Sequence, residues 1–189
     1  MKRGFKKWAE EKSLELRSKL SLKYHDKLSA QDLAYFLGVV LINPLELYGL
    51  SDQDKYNLFQ SDNSSWSAIT IKNHSGEFII IYNPTHSKRR NESNLMHEMA
   101  HIICEHEMER IMRTENFPWP LRDYNKSQEE EAEWLGGCLQ LPRKGLVWGK
   151  SKGMNIENLA DYFCASLDMV KYRLNITGIE RQFSSTLQF

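Results

Sequence analysis

The sequence predicts an α+β fold, mainly helical with a small three-stranded sheet. Three observations carry that expectation. Two runs rich in β-branched and aromatic residues, 66–72 and 77–82, flank Asn73-His74-Ser75-Gly76, which is a hairpin pattern. A third short run, residues 39–42, reads as another strand. Helical periodicity then dominates the second half of the chain, and the order helix, strands, helices is that of an α+β domain.

Taken in order, residues 5–24 carry Phe5, Trp8, Ala9, Leu14, Leu16, Leu20 and Leu22 among many charges, a loosely helical pattern. Ser29 is placed to cap a short helix, Ala30–Leu37, which Gly38 ends. Asn43-Pro44 stops the strand that follows, and Asn83-Pro84 closes the hairpin. From residue 91 or 93 to about 113 the pattern is helical again. Pro118 and Pro120 predict a loop over 116–125, since neither continues a helix. A strong helix is expected from about 128 to 141, stopping at Pro142, and 145–153 reads as another loop. Residues 156–174 are helical with a break near Ser166. The expected organisation is an N-terminal helical extension (1–28), a core (29–150) and a C-terminal, helix-turn-helix-like subdomain packed on it (151–189).

Composition narrows the function classes. The chain has 189 residues with 25 Lys+Arg against 25 Asp+Glu, so it lacks the basic excess of a protein held to nucleic acid by bulk charge. Its longest apolar runs, 37–42 and 78–82, fall far short of the ~20 residues of a membrane helix. The basic N-terminus has no apolar stretch of the secretory kind. Cys104, Cys138 and Cys164 are odd in number and widely spaced, which points to no disulfide framework and to a reducing cytoplasm.

One motif rises above composition. His97-Glu98-Met99-Ala100-His101 is an HExxH pattern. Two histidines four apart on a helix share a face, so both imidazoles can reach one divalent ion. Glu98 sits about 100° around the helix, where it can act as general base on water without occupying the metal. Leu95, Met99, Ile102 and Ile103 lie about 140–240° away from His97, so an apolar stripe anchors the opposite face.

Such sites take a carboxylate as third protein ligand. Glu129, Glu130, Glu131 and Glu133 open the next strong helix. Ser127-Gln128-Glu129-Glu130 has the form of a capping box, which would occupy Glu130. Glu131 falls among Trp134, Leu135 and Cys138, on the core side. Glu129 and Glu133 share a face with Ala132 and Gly136, small residues that permit close helix approach. Glu129 is therefore the ligand candidate, and Glu133 the candidate for orienting a ligating imidazole through its other nitrogen.

At this point the chain resembles the ImmA/IrrE-type metallopeptidases, small gluzincin-like zinc proteins. Three segments, together with their spacing, carry the resemblance over roughly residues 29–182. NLMHEMAHIICEH is similar to the family's HExxH helix, including a histidine five residues after the motif, here His106. EEEAEWLGGCLQLP is similar to its E-x-E-A-N-x-F-A…L-x-P stretch, and NIENLADYFCASLDMVKYRLNITGI to its closing LA-x-x-F-x-V-S…R-L-x-x-G segment. The resemblance implies a zincin-like core holding one Zn²⁺ on His97, His101 and Glu129, with Glu98 catalytic. It also implies a cytoplasmic endopeptidase whose protein substrate is a helix-turn-helix repressor of a mobile element or stress regulon. Ser93-Asn94, Met96 and Leu135-Gly136 depart from the family pattern at positions that touch packing and cleft shape.

His106 lies away from the metal face of the helical wheel, so it is expected to pack or face solvent rather than ligate. Cys104 is expected to be an inert thiol. Arg122, Tyr124, His74 and His86, all in expected loops, are candidates for stabilising an oxyanion. An edge strand of the 66–82 hairpin can bind an extended peptide by sheet addition, or the hairpin serves only as a structural sheet. In 155–175 only Lys171 and Arg173 supply positive charge, opposed by Asp161 and Asp168, so packing is expected over DNA binding. Lys2, Arg3, Lys6 and Lys7, beside Phe5 and Trp8, read as a solvated helix start. Two rival readings stand beside the peptidase: a non-catalytic zinc-fold module that sequesters a repressor, and a DNA-binding regulator.

Overall fold

Helix termini are set by local chemistry in a computed structural model that describes residues 1–49, 51–59, 66–106, 112–114, 117–121 and 125–184. α1 (Phe5–Lys19) is followed by α2 (Ala30–Leu37), where the Ser29 hydroxyl accepts from the Gln31 and Asp32 amides and Gly38 exits at φ 68°. β1 (Val40–Ile42) and a 3-10 turn (Pro44–Glu46) lead to α3 (Asp52–Phe59), then to the hairpin β2 (Ala68–Lys72) and β3 (Phe78–Tyr82). The three strands form the expected sheet, in the order β1-β3-β2. β3 is central, parallel to β1 and antiparallel to β2, and its Ile80, paired with Leu41 and Thr70, is fully buried.

The Asn83 side chain accepts from the Thr85 amide at 3.0 Å and the Ser87 hydroxyl from the Arg90 amide at 3.3 Å, turning the chain into α4 (Lys88–Ile103). α4 ends some ten residues earlier than its periodicity suggests. Glu105 takes a left-handed conformation (φ 53°), and β4 (Met112–Thr114) pairs with β5 (Phe117–Leu121) where a helix end and a loop were expected. Pro118 and Pro120 are two apart, so both missing donors lie on one side of β5 and leave the other free to pair.

α5 (Lys126–Gln140) is capped by Asn125, whose side chain accepts from the Ser127 and Gln128 amides. The expected Ser127–Glu130 capping box does not form, because a better cap stands two residues earlier. Both side chains instead meet the amino group of Met1, at 2.9 and 3.7 Å. The expected loop over 145–153 is α6 (Arg143–Ser151), and the division at residue 150 falls inside it. Gly145 and Gly149, which lower helix propensity, provide flat contact surfaces. A Cβ would stand 3.1 Å from Phe163 at the first and 2.5 Å from Leu159 at the second. α7 (Ile156–Phe163) and α8 (Leu167–Thr177) are separated by left-handed Cys164 and the Ser166 cap, as the break near Ser166 predicts, and α9 (Ile179–Ser184) follows.

One core cluster joins Phe5, Ala9 and Leu16 of α1 to Leu33, Ile80, Met96, Met99 and Leu135. A second gathers Leu146, Leu159, Phe163, Val170 and Leu174. Two arginines close on the carbonyl end of α5. Arg17, pushed down to about 10 by burial, donates to the Leu139 carbonyl at 2.7 Å. Arg173 donates to the Leu141 carbonyl at 3.0 Å and to Glu10 at 2.5 Å. Arg173 is 0 % exposed, so its guanidinium is no candidate for reading DNA, whereas Lys171 is exposed. At the basic N-terminus, Phe5 is buried and the Lys6 ammonium sits 4.0 Å over the Trp134 ring. No helix among the described residues is long and apolar enough to cross a membrane.

Candidate metal centre

α4 and α5 meet face to face, and the contact has no room for a side chain at Gly136. A Cβ there would lie 3.1 Å from the His97 Cα, from the His97 nitrogen and from the Met96 carbonyl. This close approach carries the first turn of α5 over the histidine face of α4. His101 Nε2 lies 3.1 Å from His97 Nε2, Glu129 Oε2 lies 3.2 Å from His97 Nε2, and Glu129 Oε1 lies 3.5 Å from His101 Nε2. Donors ~2.0–2.1 Å from a tetrahedrally bound divalent ion stand about 3.3 Å apart. The two imidazole nitrogens stand close to such an edge, the Glu129 carboxylate reaches each of them through a different oxygen, and with one donor atom from each residue within 4.8 Å of the others the cluster can hold a metal ion. His97 and Glu129 keep one side open, with side chains 26 % and 23 % exposed, while His101 is buried.

Glu98 follows His97 on the helix but points to the sheet. It is 4 % exposed, and its Oε2 accepts the Thr70 hydroxyl of β2 at 2.5 Å. Glu98 is thus a buried carboxylate next to His97 in sequence and outside the His97/His101/Glu129 cluster.

Behind His101 stands a second layer that the sequence reading assigns differently. His106 Nδ1 is 3.0 Å from His101 Nδ1, and His106 Nε2 is 3.4 Å from Glu131 Oε2. The other Glu131 oxygen accepts the Lys2 amide at 2.9 Å. The helical wheel misplaces His106 because α4 has already ended. The left-handed turn at Glu105 folds the chain back, and the His106 amide donates to the His101 carbonyl at 3.0 Å. Glu133, the expected orienting carboxylate, is exposed and faces away toward Tyr172, whose phenol is pushed up to about 12 by burial and by this nearby charge. The buried acid is Glu131. A readable signal did exist, because a carboxylate on the Trp134/Leu135/Cys138 face must find a partner.

Burial lowers His106 and outweighs the opposing pull of Glu131, which favours a neutral ring. Burial alone would raise Glu131, but the Lys2 amide and the His106 ring hold its carboxyl below the usual range. The Cys104 thiol is pushed up to about 12, by burial first and Glu131 second, so it is no nucleophile. Of the oxyanion candidates, His74 is exposed in the β2–β3 turn. His86 faces Asn94 and lines a separate cleft of about 850 Å³ with Tyr35, Tyr82 and Glu92. Arg122 and Tyr124 lie outside the described residues.

The family model of the IrrE N-terminal-like domain, peptidase M78, matches residues 55–175, more than half of the chain. The chain belongs to that family. The matched span holds every residue of the IrrE-like cluster just described, from Thr70 through His97, Glu98, His101, His106, Glu129 and Glu131, whereas Lys2, α1, α2 and β1 precede it. No curated protein and no solved structure matches this IrrE-like chain.

Proposed function

We propose that the chain is a cytoplasmic zinc metalloendopeptidase that hydrolyses a peptide bond in a protein substrate, a helix-turn-helix repressor. The observation that carries this reading is the His97/His101/Glu129 cluster, with one donor atom from each residue within 4.8 Å of the others, beside the buried Glu98 carboxylate. One Zn²⁺ held by His97, His101 and Glu129 supplies Lewis acidity, which lowers the pKa of water toward ~7 and polarises a carbonyl. Glu98 takes the proton from the attacking water and returns it to the leaving amine. Thr70 holds that carboxylate in place. β2 is an outer strand of the three-stranded sheet, and the Thr70–Glu98 bond sets it beside the site, so an extended substrate segment can add to its edge. The repressor as substrate is inferred from family membership.

Co-expression with a repressor encoded beside this gene tests the reading. Wild type is expected to cleave it and Glu98→Gln to leave it intact while retaining zinc. An intact repressor with both proteins overturns the peptidase reading, and functional inactivation that survives Glu98→Gln overturns it in favour of sequestration.

A further inference from the structure

We propose that His106, Glu131 and the backbone amide of Lys2 form a positioning relay that fixes the tautomer of His101, making the segment before α1 part of the metal site's support. The inference rests on the metal-site reading above. His101 Nε2 faces His97 and Glu129, so it can bind a cation only with its lone pair there, which places the ring proton on Nδ1. That nitrogen lies 3.0 Å from His106 Nδ1, and the gap accommodates one proton only. A proton on His106 Nδ1 would leave His101 to be protonated at Nε2 and close the site to metal. For a neutral His106 the arrangement excludes that tautomer. Its Nε2 faces Glu131 Oε2 at 3.4 Å, and an ionised carboxylate accepts and cannot donate, so His106 Nε2 carries the proton and its Nδ1 accepts from His101.

Glu131 is itself held. Its second oxygen accepts the Lys2 amide at 2.9 Å, from a chain segment remote in sequence. The side chains of His101, His106 and Glu131 are 8 %, 6 % and 8 % exposed, so water does not compete freely for these contacts. Proton positions are thus dictated from the carboxylate inward to the metal-facing nitrogen.

Equilibrium Zn²⁺ affinity, read by competition with a chromophoric chelator, tests this without reference to activity. Circular dichroism of the metal-free proteins checks folding. His106→Leu and Glu131→Gln are expected to bind zinc about 10- to 100-fold more weakly than wild type. His106→Gln, whose amide both accepts and donates, should restore most of the loss, whereas a merely space-filling role would be served as well by leucine. Lys2→Pro, which removes the amide donor along with the side-chain charge, should cost several-fold while Lys2→Ala, which keeps the amide, binds zinc as wild type does, and this pair keeps the test decisive if either interior variant fails to fold. Stoichiometric zinc in wild type with unchanged affinity in Glu131→Gln and Lys2→Pro overturns the relay and spares the metal site. Absence of stoichiometric zinc from wild type overturns the metal reading, and the relay with it.

Discussion

Thr70 contributes a single hydroxyl, and that group donates to the buried Glu98 carboxylate. A hydrogen bond to a charged acceptor is worth about 1.5–3 kcal/mol, and part of that falls on the orientation of the base. Thr70→Val, which keeps the shape of the strand residue, is expected to lower kcat about tenfold while zinc stoichiometry stays at one. Steady-state kinetics with parallel metal analysis checks it. Glu98→Gln is the stronger change, with an expected loss of at least about 100-fold on the proposed reading of Glu98 as the proton acceptor. The two variants separate a group that handles the proton from one that aims it.

Between elements, the decisive distance is that between α4 and α5. Gly136 sits against backbone atoms of His97 and Met96, which cannot rotate aside as a side-chain tip would. Gly136→Val is expected to force the helices apart, destabilise the fold by about 1–3 kcal/mol and weaken zinc binding in step. A thermal melt with a zinc titration tests both. This part of the site is legible from residue spacing, because His97 and His101 four apart, and small residues beside Glu129, are facts about one helix turn each. The His106–Glu131 contact is not, since it depends on Glu105 adopting a left-handed turn that no glycine or asparagine announces. The same limit explains the elements misread. Gly145 and Gly149 look like loop residues until Phe163 and Leu159 are seen packed on them, and Pro118 and Pro120 exclude a helix without excluding a strand edge.

Across the whole molecule, a metal ion held by the His97/His101/Glu129 cluster would be linked to the core by mass action, since an ion that binds only the folded chain stabilises it. Zinc at ~1,000 times its dissociation constant is expected to add about 4 kcal/mol, so a chelator should lower Tm and restored zinc should return it, as calorimetry would show. The buried arginines act at the same scale. Arg17→Met leaves the Leu139 carbonyl without its donor and is expected to cost about 2–3 kcal/mol, measured by urea denaturation.

The grip of Arg17 and Arg173 on α5 also bears on events at the ribosome. A nascent chain grows at ~5–20 residues per second, so both imidazoles and the acidic ligand are polymerised seconds before residue 173. During that interval the carbonyl end of α5 lacks its second guanidinium. The candidate metal cluster is therefore complete in sequence before the second clasp on its helix has been translated.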